Sequence, residues 1–354
     1  MPNSGLFITL SDNDTLNLYL EKGVYGELRP PVFGEVDSRS MNYAALSDAA
    51  CAREGTHVFF FVERQIVYGG QILGSENYGS YFLNGPYSPM GRRVNADIYW
   101  DESSRGRYEA TEQQGIFKVR TNGSREDKCQ PYIIRYSDEL GLSGNSIESD
   151  VLYTELSFLP FPVPSNSIQR MSFCTLTPGE TDILIELLQT SSENVRATPR
   201  DDINVVGDPM LFNPDMGISH LSQATSKYHH DASIFSNPSL LPRELRPNGA
   251  IICRKIPITP FKPFQMDRAD MCYFTDEAIE NGYIPNKVIE LEWKRAGDTK
   301  LLKIVRYKKW LRRLIPEQYR DISFYLFAPD FSRNILDRVP REFRDEIELL
   351  RWRT

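Results

Sequence analysis

In the stretch 288–294 apolar and charged side chains alternate from Ile289 onward, with Ile289, Leu291 and Trp293 set against Glu290, Glu292 and Lys294. Successive side chains of a β-strand point to opposite faces, so the stretch predicts a strand with one apolar and one charged side. A second short apolar run, 268–274, carries Asp270 near its start, and the turn-rich residues 280–286 separate the two. Hairpin-like pairing of these strands brings Asp270 beside Glu292. Residues 299–315 lack Gly and Pro and place Leu301, Ile304, Val305, Leu311 and Ile315 on one stripe before Pro316, which predicts a helix. Lys308 and Arg312 project near that stripe and need a partner or a route to water. With a further buried strand at 322–328, a helix over 220–235 and a strand over 250–258, the order is α-β-β-β-α-β.

The first half follows a different pattern. Strands are expected at 6–10, 57–62 and 66–73, a helix at 13–21 stopped by Gly23, and an apolar helix opened by Pro178 that ends near Leu188. From 189 to 222 the chain turns polar and is punctuated by Pro and Gly. This predicts a mostly β unit over 1–195, a connector over 196–219 and a second unit over 220–354.

Holding two carboxylates and an ammonium on one face of a packed strand costs desolvation and like-charge repulsion, a cost that chemistry can explain. A sheet-edge strand with solvated charges is the alternative, and the strand alone does not decide between them. The ordered set of Asp270, the Glu292-Trp293-Lys294 triplet and the segment Asp231-Ala232, followed by Asn237-Pro238, resembles the PD-(D/E)xK restriction-endonuclease-like superfamily over about residues 220–330. Asp231 stands where relatives usually carry Glu, and Lys303 where many carry Gln four residues before Tyr307. The resemblance implies an α/β nuclease core with a mixed sheet. Asp270 and Glu292 would bind Mg²⁺ or Mn²⁺, Asp231 would add a carboxylate, and Lys294 would stand near the attacking water; Glu290 would bind a second ion or face solvent.

The N-terminal unit, through residues 7–14, 22–26, 57–62, 68–74 and 113–119, resembles the YTH/EVE branch of the PUA-like fold, a β-barrel that holds a modified base in an aromatic pocket. Tyr25 falls at the position of one cage tryptophan and Gln113 at that of a second. Asn13, Asn17, Gln113 and Trp100 are then candidates for reading a flipped base, with Tyr25 either stacking on it or packing in the core, and Asn13 alternatively a helix cap.

Charge agrees with a nucleic-acid partner. Ten Lys or Arg stand against three acids between 287 and 313, a local balance of +7 in a 354-residue chain whose formal net charge is −7. Such a basic element suits a phosphate backbone, with Lys300, Lys303, Arg306 and Lys309 as contacts, although a solvated helix face has the same composition. No apolar span approaches the roughly 20 residues that cross a bilayer, and the five scattered cysteines suggest reduced thiols and a cytoplasmic protein. A Walker-type glycine loop is absent, which removes support for nucleotide hydrolysis. The expectation is a Mg²⁺-dependent endonuclease acting on DNA, modification-dependent and used in prokaryotic defence, with a homodimer compatible. The alternatives are a nuclease on branched or single-stranded DNA or RNA, and a non-catalytic nucleic-acid sensor.

Overall fold

The computed structural model describes residues 3–10, 13–26, 47, 50–75, 78–79, 81–82, 108–111, 116–121, 124–129, 133–156, 173–195, 218–258 and 267–352. Trp100, Gln113 and the connector residues 196–217 lie outside them.

The N-terminal unit contains β1 (Gly5–Thr9), α1 (Asn13–Lys22), β2 (Val24–Gly26), β3 (His57–Val62), β4 (Gln65–Ile72), β5 (Gly74–Ser75), β6 (Tyr78–Gly79) and β7 (Tyr81–Phe82). There follow β8 (Tyr108–Thr111), β9 (Ile116–Thr121), β10 (Ser124–Cys129), β11 (Ile133–Ser137), β12 (Ser146–Glu148), α2 (Ser149–Leu156), β13 (Phe173–Leu176) and α3 (Pro178–Thr190). Eight strands form one mixed sheet along the path β13-β1-β3-β4-β11-β2, with β12 on β4 and β7 on β11. Among the described residues no pairing joins the two ends of this path. Gly23 ends α1 at φ +60, where a Cβ would come within 2.8 Å of the Tyr136 carbonyl oxygen. α3 begins on a capping box in which Thr177 and Glu180 satisfy each other's backbone N–H groups.

The C-terminal unit begins with α4 (Lys227–Ser236), whose N-cap Ser226 accepts from the His229 N–H. Then come β14 (Ile251–Pro257), β15 (Arg268–Phe274), α5 (Asp276–Glu280), β16 (Lys287–Leu291), α6 (Asp298–Leu314), β17 (Ser323–Ala328), α7 (Arg341–Arg344) and β18 (Ile347–Arg351). The five strands stand in chain order; β15 runs antiparallel to both β14 and β16, while β16, β17 and β18 run parallel. One core, containing Cys272, Val288 and Leu326, packs against Leu301, Ile304 and Leu311 of α6. The other, containing Met271, Ile289, Leu291 and Phe327, packs against Ile234 and Phe235 of α4. β16 is therefore central and buried on both faces, and the reading of its charges as a solvated sheet edge is wrong for Glu290, which has no exposure.

The two units meet along a seam. Thr175 of β13 uses its hydroxyl twice on Arg254 of β14, accepting from the N–H at 3.0 Å and donating to the carbonyl at 3.2 Å. Cys253 Sγ donates to the Leu176 carbonyl, and Tyr283 to Asp182. Ala50 and Cys51 lie in the same apolar cluster as Leu221, Ile234 and Phe235. The connector's composition suggested few contacts of this kind; composition reports on the linking segment and not on the surfaces it joins.

Candidate active site

Asp270 sits on β15 with 2% exposure, directly across β16 from Glu290, one step beyond the Met271–Ile289 pair. The structure thus brings Asp270 together with Glu290, two residues before the glutamate that the sequence pattern favoured. The physical reason is register: the connection between the strands is long and holds α5, so no tight turn fixes the pairing from local sequence. Glu292 lies past the end of β16, where its Oε1 accepts from the Trp293 N–H at 3.2 Å. Lys294 is exposed and its ammonium stands 4.9 Å from the Trp293 ring centroid.

The buried carboxylates are met by lysines from two elements, α6 and β14. Lys300 Nζ donates to Asp270 Oδ2 at 2.6 Å and to Glu290 Oε2 at 2.8 Å, so one ammonium bridges both acids. Lys303, one helical turn further on α6, reaches Glu290 Oε1 at 2.8 Å, and Tyr307 donates to the same oxygen at 3.0 Å. Lys255 of β14 bonds Asp270 Oδ1. Its φ of +56 is left-handed backbone, which costs a non-glycine residue energy and is found where the surroundings fix a side chain's direction. The Leu291 N–H completes the set at 3.0 Å from Asp270 Oδ2.

Electrostatics separates the two acids. Burial alone would raise the Asp270 pKa, but the charges of Lys255, Lys300, Lys227 and Lys303 hold it well below the usual carboxylate range. Glu290 is raised by burial and then by the Asp270 charge, against the pull of Lys300 and Lys303. Burial works against the charge on Lys300, yet the two carboxylates raise its pKa. Lys303 is lowered, first by burial. The two acids are thus shifted in opposite directions, and so are the two lysines of α6.

Asp231 is placed on α4 with 3% exposure; its Oδ1 lies 3.1 Å from His230 Nδ1 and its Oδ2 lies 3.7 Å from Lys227 Nζ. Lys227 in turn donates to the Leu291 carbonyl at 3.2 Å, which ties Asp231 to β16. The basic helix is used differently from the expectation. Lys300 and Lys303 turn inward onto the acids, and Arg306 pairs with Asp267, its Nε 2.5 Å from Oδ2, so these three are engaged by the protein itself. Lys309 remains exposed. Lys308 is 2% exposed, bonded to Glu346 at 2.9 Å and 4.0 Å from the Phe324 ring centroid, which is how that charge tolerates the core side. Lys255 was missed in the sequence; nothing in its neighbourhood marks a left-handed lysine.

A divalent cation fits the donor chemistry of the Asp270–Glu290 pair, because the Lys300 ammonium already stands as a cation where the two carboxylates converge. Among the described residues no three His, Cys, Asp or Glu side chains are grouped to hold a metal ion. Two carboxylates suffice for Mg²⁺, which keeps several waters and takes further oxygens from phosphate.

In the N-terminal unit Tyr25 is 3% exposed and packs edge-on against Tyr19 at 5.4 Å between ring centroids, with Phe60 at 6.4 Å. It is a core residue without a free face for a base; a short strand of aromatic composition looks the same in sequence whether it lines a pocket or fills a core. Asn13 donates to Glu63 at 2.7 Å, and Asn17 has a buried Oδ1 with no hydrogen-bond partner among the described residues.

No known protein family and no curated protein matches the chain. A solved structure of a complex of EndoMS with double-stranded DNA aligns over 94% of this chain and 98% of its own, at 10% identity and a TM-score of 0.23. A likeness at that score defines neither fold nor activity. No helix among the described residues is long and apolar enough to cross a membrane.

Proposed function

We propose that this chain is a metal-dependent nuclease that hydrolyses phosphodiester bonds in DNA. The observation that carries the reading is the convergence of two buried carboxylates from adjacent strands on a single cation position, 2.6 and 2.8 Å from the Lys300 ammonium. The α-β-β-β-α-β order and its resemblance to the PD-(D/E)xK superfamily support it. Asp270 Oδ2 and Glu290 Oε2 would hold Mg²⁺ or Mn²⁺, which when bound activates water and neutralises charge on the phosphate. Lys255 keeps Asp270 ionised, Tyr307 fixes Glu290, and Lys300 and Lys303 supply positive charge to the phosphate as it enters. In this reading Glu290 and the α6 lysines take the parts that the sequence pattern gave to Glu292 and Lys294.

Cleavage of duplex DNA in Mg²⁺ or Mn²⁺, abolished by chelation and by Glu290→Gln in a folded protein, is the expected result. Parent-level cleavage by Asp270→Asn and Glu290→Gln would refute the assignment. The finer proposal, selection of a modified base by the N-terminal unit, is supported by its resemblance to PUA-like readers and by the unpartnered Asn17 Oδ1. It is tested by comparing unmodified, methylated and glucosylated DNA, and RNA.

One observation favours a second reading. Every oxygen of Asp270 and Glu290 already bonds a donor, and three ammonium groups against two carboxylates leave the cluster positive without a metal. A nucleic-acid-binding protein with this cluster as structural cement would have that arrangement, and would bind DNA without cutting it in any divalent cation.

A further inference from the structure

Beyond the carboxyl ends of the three parallel strands lies an open cleft of about 590 Å³. Its walls come from the segments that leave β16 and β17 and from the last residue of β18, and they present Arg295, Arg333 and Arg351 against a single acid, Asp330. Crevices outside the carboxyl ends of strands in open α/β sheets are where ligands bind, because the loops there diverge and leave space over a rigid floor. The floor is set by backbone bonds: Ala296 N–H donates to the Asp330 carbonyl at 2.8 Å and Ser332 N–H to the Ala296 carbonyl at 3.0 Å.

Two of the guanidinium groups, those of Arg295 and Arg351, have partners that orient them. Asp330 lies 3.6 Å from Arg295 and 3.4 Å from Arg351, and so holds two arginines with one charge. Arg295 Nε also donates to the Phe331 carbonyl at 3.1 Å, and the Arg351 guanidinium lies over the Phe331 ring at 5.7 Å. Arg333 is exposed at the same cleft. Fixed, planar, weakly hydrated cations of this kind match phosphate oxygens in paired hydrogen bonds. The local balance is positive in a chain that is acidic overall.

From this we infer that the cleft holds a phosphate of the nucleic-acid backbone next to the cleavage site. The inference rests on the reading of the chain as acting on DNA. Arg295 follows Glu290 by five residues, a reach of about 17 Å at most, so a strand lying over the carboxylates passes the cleft within a few nucleotides. The cleft adds a backbone contact beside the phosphate met by Lys300 and Lys303, in place of Arg306, which is engaged by Asp267.

The experiment measures binding of a short DNA duplex in EDTA, by fluorescence anisotropy across a salt series, for the full-length parent, Arg333→Gln, Arg351→Gln, the double variant and Arg320→Gln, an exposed position before the amino end of β17. Melting temperatures confirm that each is folded. Each cleft variant should lower affinity severalfold, and the double variant should reduce the salt slope by about 1, because the counterion release of one phosphate contact is lost. Inorganic phosphate should raise the parent's melting temperature and leave that of the double variant unchanged. A double variant with the parent's affinity and slope overturns the cleft while leaving the nuclease reading intact, as does an equal loss in Arg320→Gln, which would make the effect one of general charge. A parent that binds no duplex at low salt overturns both.

Discussion

Asp270 is the residue on which the buried charge cluster turns, bonded by Lys255, Lys300 and the Leu291 N–H. Substituting Asn would leave Lys255 and Lys300 buried beside a neutral amide, and breaking a buried ion pair from one side costs about 3–5 kcal/mol. Asp270→Asn is therefore expected to lower the urea midpoint, the opposite of the gain expected from relief of repulsion between two isolated carboxylates. Lys300→Met tests the other partner. A cation site blocked by a resident ammonium binds metal only in the fraction of molecules where the lysine has moved away. If that fraction is about one tenth, removing the ammonium should tighten Mn²⁺ binding about tenfold. Calorimetric titration with Mn²⁺ checks this, and equal affinity in parent and variant would show that Lys300 does not occupy the cation position. Glu292→Gln, past the strand and bonded to its own neighbour's N–H, should bind Mn²⁺ as the parent does.

The elements carry their own testable balance. α3 starts on Glu180, a buried carboxyl whose pKa is raised by burial to about 8 despite the bonds from Thr177. Its folded value lies above the unfolded one of 4.5, so its contribution is fully present below that pH and is lost as pH rises toward 8. Glu180→Gln keeps the reciprocal cap and removes the titration. The variant should lose less melting temperature than the parent between about pH 5 and about pH 8.5; identical slopes would mean that the carboxyl is not buried in solution. At the seam between the units, Thr175→Val removes both bonds to Arg254 at constant shape. Leaving those buried backbone groups unsatisfied costs about 1–3 kcal/mol, read as a shift in the unfolding midpoint. Because Arg254 precedes the left-handed Lys255, the same substitution is expected to weaken any activity of the Asp270 centre more than Thr154→Val on the exposed face of α2.

For the whole molecule, the seam decides cooperativity. Bonds from Thr175, Leu176 and Asp182 to the second unit, and Ala50 and Cys51 in its core, make separate unfolding of the two units costly. Calorimetry of the full chain should show one transition. Two transitions, unchanged by Thr175→Val, would show that the units are independent and that the division read from the polar connector also describes their energetics.

Local pattern was enough for the elements that bury one periodic face. The alternation in β16, the apolar stripe of α6 and its stop before Pro316, and the Gly23 turn all follow from short-range sterics and hydrophobic periodicity, which the chain carries in adjacent residues. Tertiary structure alone decided which glutamate meets Asp270, because register across a long connection is fixed by packing on both faces of a central strand. It also decided the direction of the α6 lysines. A lysine beside an apolar stripe snorkels to water unless an acid is buried within its reach, and Glu290 is such an acid only once β16 lies in the middle of the sheet. The same holds for Tyr25, whose ring would suit a base equally well in sequence and is claimed by Tyr19 and Phe60 in the fold. Arg295, Arg333 and Arg351, scattered over the last sixth of the chain, become one cleft because three parallel strands end together.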